Sequence, residues 1–554
     1  MSETYIVMDS GLRRNDNYSF NLKYMSTPLK EGEKPVKKFD TPRLLRGMKD
    51  VLPTEEIFWN TVLDTVSHFA EVYNFGRLRT PVLENTKLFV RSVGKDTDIV
   101  DKEMYTFEDR DGSRVTLRPE GTAATVRAYI LHGMLNQPQP VKMWYMQPMF
   151  RHERPQAGRY RQHHQVGFEV IGADDPAVDA MLITIAYKVL ETIGMETIVH
   201  VNSLGSPESR EAYITKLVAH YKSFRGRLDD DQKKRLAKNP LRILDLKDEE
   251  LADIKESAPQ LVDHLDDDSR DHFMKVLEYL DELEIPYMLD PHLVRGLDYY
   301  NRTVFEVFPV ADEDKKSQSA FVAGGRYDHL VEHLGGRDAT PAAGFGMGVE
   351  RIVSEMHRKN IKPTPAKRPQ VFVAHLGELG RRSAMVLFDE LRTKGFRVRE
   401  CFSKSSLRDQ LAMANKSAAP FALIVGQREV IEGTVIIRDM ESGIQEIIDM
   451  KKAVGALEKQ YAAKEEELGS LLYMPEKIIT DEDEEGEEEE GEDGEKSEDD
   501  KVVDEVVKEV EGAEEEAKEE KKAKKAKKKT KKKDDVDTSA AVDEATEDTV
   551  DKKE

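Results

Sequence analysis

A proline-rich break, Pro363-Thr364-Pro365-Ala366-Lys367-Arg368-Pro369, separates two stretches whose apolar patterns demand different folds. Proline fixes φ and removes a backbone donor, so residues 363–369 read as a linker. Before it, Phe58, Val62, Val66, Phe69 and Tyr73 recur at steps of three and four. That spacing predicts a helix after Pro53-Thr54, with Thr54 as its cap. Short apolar runs with turn signals follow. Val115–Arg118, Lys142–Met146, Val166–Ile171 and Thr303–Val307 read as strands. Strand after strand with irregular loops predicts an antiparallel sheet in an α+β domain over residues 39–362. Residues of about 206–285 differ, being rich in Lys, Glu, Asp and Leu at helical spacing. They read as a helical insertion, with a plain connecting helical layer as the other reading. Beyond the break, apolar runs at Val371–Leu376, Phe396–Phe402, Phe421–Gly426 and Thr434–Ile437 alternate with helical stretches. This β-α-β-α-β rhythm predicts a small α/β domain over 370–458 with a mainly parallel sheet.

The charge is unevenly placed. Of a net −23, Glu476 to Glu554 carry 34 acidic and 17 basic residues, which leaves 73 and 67 for the body. A body this close to neutral argues against a protein that coats DNA, although a local basic stripe would suffice for RNA. In the tail, 478–554, an acidic block (Asp481–Asp500) precedes a lysine block (Lys521–Lys533). Such composition buries too little apolar surface to fold alone, so disorder is expected, with transient helix around Val502–Glu520. Residues 1–38 read as a flexible extension, and Met25 is an alternative start. Cys401 is the one cysteine, which excludes an internal disulfide and fits a reducing compartment. No apolar run approaches the length of a membrane span, and the N-terminus lacks an apolar signal core. A cytoplasmic location is expected.

Three segments concentrate the chemistry. Between Phe150 and Gln165 stand Arg151, Arg154, Arg159 and Arg161, four guanidinium groups within eleven positions. Placed between two strands, they would line a loop over an open sheet face and suit a polyanion; a solvated charged hairpin is the plainer alternative. Leu293-Val294-Arg295-Gly296-Leu297-Asp298-Tyr299-Tyr300 and Ala323-Gly324-Gly325-Arg326-Tyr327-Asp328 each set arginine, carboxylate and tyrosine beside glycine. Glycine admits close backbone approach, arginine offers a planar fork, and tyrosine a flat wall with a polar tip. His152, Glu153, His163 and His164 could be drawn as a zinc site, but neighbouring residues on a strand face opposite ways. A P-loop motif is absent from the sequence, since Gly94-Lys95 runs into Asp96. Phe402-Ser403-Lys404-Ser405-Ser406 reads as a turn and helix cap.

Taken in order, these stations resemble the histidyl-tRNA synthetases, a class II aminoacyl-tRNA synthetase family, in their bacterial form. Thr80-Pro81-Val82-Leu83-Glu84 is similar to motif 1, and Phe150-Arg151-His152-Glu153 with the strand after it to motif 2. Gly344-Phe345-Gly346-Met347-Gly348-Val349-Glu350-Arg351 is similar to motif 3. Leu117-Arg118-Pro119-Glu120-Gly121-Thr122 and the two tyrosine peptides complete the set, and the match spans residues 40–455. The resemblance implies a class II antiparallel catalytic domain, an anticodon-binding α/β domain, and ATP-dependent ligation of L-histidine to tRNA(His) through a histidyl adenylate. It assigns Arg295 and Arg151 to catalysis, and Arg151, Arg351 and Arg159 to ATP. For histidine it implies Glu120, Thr122 and Gln165 at the α-amino end, Glu169 and Tyr300 at the imidazole, and Tyr327 completing the pocket. Arg154 and Gln156 would meet the tRNA acceptor end. A homodimer built on motif 1 and magnesium travelling with ATP are implied too, the metal's protein ligands staying unassigned. No membrane or DNA partner is expected. The rivals are a non-catalytic paralogue, such as an ATP phosphoribosyltransferase regulatory subunit or a sensor of uncharged tRNA, and a class II synthetase for another amino acid.

Overall fold

The computed structural model describes residues 41–468 except Asp96, 154–158, 245–250, 311–318 and Ala366. The expected N-terminal extension and charged tail, with its transient helix, lie outside the described residues. Residues 41–45 form the described end of a first unit and carry no regular structure; every element below belongs to a second unit that starts at Arg46.

The first helix, α1 (Glu56–Val72), buries Trp59, Val62 and Val66. Phe58, Phe69 and Tyr73 pack partly buried against the same core. Thr54 does not cap it: Glu55 occupies the cap position without a side-chain bond. Around the motif 1 peptide lie β1 (Gly76–Arg77), β2 (Leu83–Asn85), α2 (Thr86–Ser92), β3 (Thr106–Glu108) and β4 (Arg114–Leu117). β2, β4 and β3 form a three-stranded antiparallel sheet. Then come α3 (Thr122–Leu131), the long strands β5 (Val141–Phe150) and β6 (Gln162–Ile171), α4 (Pro176–Ile193) and β7 (Thr197–Ser203). Helices α5 (Pro207–Ser223), α6 (Asp230–Lys238), α7 (Ala252–Glu256) and α8 (Asp267–Glu282) lead to β8 (Tyr287–Leu289), β9 (Asn301–Pro309) and β10 (Val322–Arg326). A short α9 (Leu330–His333), β11 (Ala342–Gly348) and α10 (Val349–Arg358) close this half.

Eight strands form one sheet in the order β1-β5-β6-β11-β10-β9-β7-β8. All its pairings are antiparallel except the two at its edges, β1–β5 and β7–β8. Period-2 alternation divides its residues between two cores. Phe168, Phe305 and Phe345 join the apolar faces of α1, α4, α8 and α10. Val304, Tyr300 and Tyr327 join Tyr213, Leu217 and Leu241 from the stretch after β7. That stretch divides accordingly. α5 to α7 cover the second face, whereas α8 sends Phe273, Val276, Leu277 and Leu280 into the first core beside α4. Spacing of three, one and three makes a single stripe on α8, and that stripe chooses the core.

After residues 359–370, a five-stranded sheet runs in the order β13-β12-β14-β15-β16. Its strands are β12 (Val371–His375), β13 (Val398–Glu400), β14 (Phe421–Val425), β15 (Thr434–Asp439) and β16 (Gln445–Asp449), with α11 (Gly377–Thr393), α12 (Leu407–Lys416), α13 (Gln427–Glu432) and α14 (Ala453–Leu468). Only β13, β12 and β14 are parallel; β14–β15 and β15–β16 are antiparallel. The expectation of a mainly parallel sheet is corrected here by loop length. A parallel return needs a crossover of a dozen or more residues. The link from β14 to β15 holds only the single short helix α13 and Gly433 at φ +71°. Ser406 caps α12 by accepting from the Asp409 N–H. Among the described residues no helix is long and apolar enough to cross a membrane.

Candidate active site

The sheet face opposite α1 and α10 carries a cavity of about 380 Å³. Arg151, Arg159, Arg295 and Arg351 all line it. They arrive from different elements. Arg151 follows β5 directly, and its Nε donates to the Pro119 carbonyl at 2.8 Å. Arg351 enters from the first turn of α10, where it donates to the Ala320 carbonyl at 2.7 Å. Arg159 pairs with Glu153 at 3.3 Å. Arg295 pairs with Glu306 of β9, and its guanidinium lies 5.4 Å over the Tyr300 ring. Burial lowers the Arg351 pKa, and the like charges of Arg159 and Arg151 lower it further. His163 also lines the cavity; burial, then Arg151 and Arg351, push it down to about 3, so its imidazole is neutral. Guanidinium groups crowded at one wall form a site that an anion stabilises.

Beneath this wall lies an acidic slot. Glu169 of β6 is fully buried and accepts from three hydroxyls: Thr122 Oγ1 at 2.8 Å, Tyr145 Oη at 3.1 Å and Tyr327 Oη at 2.5 Å. Desolvation raises its pKa to about 8, against the pull of those donors. Thr122 and Tyr300 line the cavity, whereas Glu169 and Tyr327 sit one layer behind. Glu120 lines the cavity and caps α3, accepting from the N–H groups of Thr122 at 2.6 Å and Ala123 at 2.9 Å. Gln165 also lines it, and its buried Oε1 has no hydrogen-bond partner among the described residues. A buried orphan acceptor at a cavity wall suits a ligand N–H. The glycines of β11 make room for these side chains. A Cβ on Gly344 would lie 1.8 Å from Glu169 Oε2, and one on Gly346 1.6 Å from Gln165 Nε2.

Two further charged residues of the tyrosine peptides do not line the cavity. Arg326 is fully buried and turns away from the cavity. It donates to Asp179 at 2.7 Å, to Asp328 at 3.1 Å and to the Ala173 carbonyl at 3.0 Å, while His272 meets Asp179 at 2.7 Å. Asp298 takes a bond from Asn239 at 3.0 Å rather than facing the cavity. His163 and His164 do face opposite ways: His164 meets Trp59 of α1 edge-on and pairs with Glu350 at 2.9 Å. Among the described residues no cluster of three His, Cys, Asp or Glu is placed to hold a metal ion. Arg154 and Gln156 lie outside the described residues. Tyr145 and Glu306 were not singled out by sequence. The one signal for Glu306 is a lone carboxylate inside the apolar run Val304–Val307.

The histidyl-tRNA synthetase family model matches residues 47–352, and the anticodon-binding-domain model residues 370–460. The histidine–tRNA ligase of Dehalococcoides mccartyi strain 195 is 43% identical over 416 residues, covering 75% of this chain and 99% of that one. The chain belongs to the histidyl-tRNA synthetase family. The histidine–tRNA ligase of Alkalilimnicola ehrlichii is 44% identical over 407 residues, 73% of this chain and 93% of that one. The crystal structure of apo histidyl-tRNA synthetase from S. aureus superposes with a TM-score of 0.63 at 32% identity, covering 75% of this chain and all of that one. The fold is thus the class II histidyl-tRNA synthetase fold with its anticodon-binding domain.

Proposed function

We propose that this chain joins L-histidine to tRNA(His) at the expense of ATP, by way of a histidyl adenylate. One observation carries the reading: four guanidinium groups wall a single cavity, and a buried carboxyl group ringed by hydroxyls lies behind it. The histidine carboxylate attacks the α-phosphate and expels pyrophosphate, and the terminal ribose hydroxyl of tRNA then attacks the carbonyl carbon of the adenylate and expels AMP. Charge grows on phosphoryl oxygens in both steps, so fixed positive charge is the main catalytic need. Arg151 and Arg295 meet the α-phosphate and the substrate carboxylate. Arg351 and Arg159 hold the outer phosphates. Gln165 Oε1 accepts from the α-amino group beside Glu120 and Thr122. Glu169, Tyr300 and Tyr327 hold the imidazole, and selection for histidine comes from this fixed polar end of the pocket.

Magnesium accompanies the ATP phosphates in this reading. An ion carried by ATP fits the cavity better than one held by the protein, since Glu153, Glu306 and Glu350 already have cationic or imidazole partners. A homodimer is supported by Val82, Leu83 and Phe107, apolar residues exposed on and beside the three-stranded sheet. Arg154 and Gln156 are proposed to meet the acceptor end, the α/β domain the anticodon, and the reaction to run in the cytoplasm. Catalysis is favoured over a non-catalytic paralogue because both the arginine wall and the acidic slot are intact. Aminoacylation of total tRNA with each of the twenty amino acids tests the reading. Charging with histidine alone is expected; charging with another amino acid, or none with histidine, would overturn it.

A further inference from the structure

Glu306 stands where an anion site has least use for a carboxylate. It lies on β9 between the buried Phe305 and Val307, opposite Ala323 of β10 and His200 of β7. Its side chain lines the same cavity as the four arginines and forms the ion pair with Arg295. Arg295 is itself only 13% exposed, and Glu306 20%. Glu306 also lies close enough to Arg351 to support its charge.

We propose that Glu306 is the resting counter-ion of Arg295, a positioning residue that holds the guanidinium in the cavity until the α-phosphate of ATP displaces it. The proposal rests on the cavity being the ATP site. A largely buried guanidinium without a partner would swing toward solvent, because desolvating an uncompensated charge is costly. A carboxylate on a rigid central strand prevents that and fixes the direction of the fork. The same pair competes with ATP, since the Arg295 Nη1–H that donates to Glu306 cannot bond a phosphate oxygen at the same time. Apparent affinity is then reduced by the fraction of molecules in which Arg295 is disengaged. Glu306 therefore works in opposite senses on binding and turnover, weakening the first and raising the second.

Glu306→Gln keeps the shape and one acceptor oxygen while removing the charge. In the full chain, ATP binding without histidine, read by titration calorimetry, should tighten by about threefold or more. Histidine-dependent ATP–pyrophosphate exchange should slow by about tenfold or more, since small misplacements of a catalytic group are enough for that. Glu306→Asp, which keeps the charge, should return ATP affinity toward the wild-type value. Damage to packing alone would weaken binding and turnover together. Binding in Glu306→Gln that is unchanged or weaker, or turnover that is unchanged, overturns the proposal, as does wild-type protein that binds no ATP. Wild-type protein that binds ATP yet shows no histidine-dependent exchange would overturn the proposed function instead, and the calorimetric comparison would still decide the role of Glu306.

Discussion

Glu169 keeps a proton that an exposed glutamate would have given up. The unfolded chain releases it near 4.5 and the folded chain near 8, because burial outweighs the hydroxyl donors. Between those values folding takes up a proton, so stability falls as pH rises through that window. Glu169→Gln has no such proton. Its melting temperature should fall less than that of the wild type between about pH 5 and about pH 8, while its KM for histidine rises far more than its KM for ATP. A melting profile that tracks the wild type, or equal rises in both KM values, would contradict the assignment. Arg295→Lys tests the other end of the cavity. Lysine keeps the charge but loses the planar fork, so adenylate formation should drop by roughly 100-fold with the circular dichroism unchanged. Wild-type exchange rates in that variant would remove Arg295 from the chemistry. Arg295 and Glu169 were assigned from sequence through the resemblance of their peptides to the family's motifs. Sequence missed Tyr145, which looks like one more core residue of its strand. Its hydroxyl reaches Glu169 because β5 pairs with β6 so that Tyr145 stands opposite Gly167, and register is invisible before pairing.

At the scale of elements, the second tyrosine peptide is held from behind. Arg326 at the end of β10 grips Asp179 in the first turn of α4, and Asp179 in turn takes His272 from α8. Three elements thus meet next to Tyr327, whose hydroxyl bonds Glu169. Asp179→Asn would leave a fully buried guanidinium short of its counter-charge. Breaking one side of such a pair typically costs about 3–5 kcal/mol, so a clear fall in the denaturant midpoint is expected. A midpoint equal to the wild type would mean that Asp328 and Asp174 suffice for Arg326. The composition of the peptide leaves the direction of its arginine open, and only packing reveals that it faces the core. The mixed order of the C-terminal sheet was hidden for a related reason. Apolar runs announce strands, but their direction depends on whether the connection is long enough to cross over. The glycine-rich β11, by contrast, was legible, because the closeness of Glu169 and Gln165 leaves no space for a Cβ at Gly344 and Gly346.

For the whole molecule, the open question is what its uneven charge does to an RNA substrate. The residues after 475 carry 34 acidic and 17 basic side chains, so most of the net −23 belongs to them. A lysine block such as Lys521–Lys533 attracts phosphate, but the acidic block Asp481–Asp500 of the same segment repels it. In salt of about 0.1 M, charges more than about 10 Å apart hardly feel each other. The body has its own arginine wall for the reacting end. A solvated spacer is therefore the expected role of the tail. Deleting every residue after 475 should leave kcat/KM for tRNA within about twofold at both about 0.05 M and about 0.3 M salt. If the lysines assist encounter, the truncated chain would instead lose efficiency at low salt and match the full chain at high salt, because releasing counterions from the nucleic acid makes lysine–phosphate contacts steeply salt-dependent. Measured side by side, the two salt slopes separate an encounter device from a passive extension.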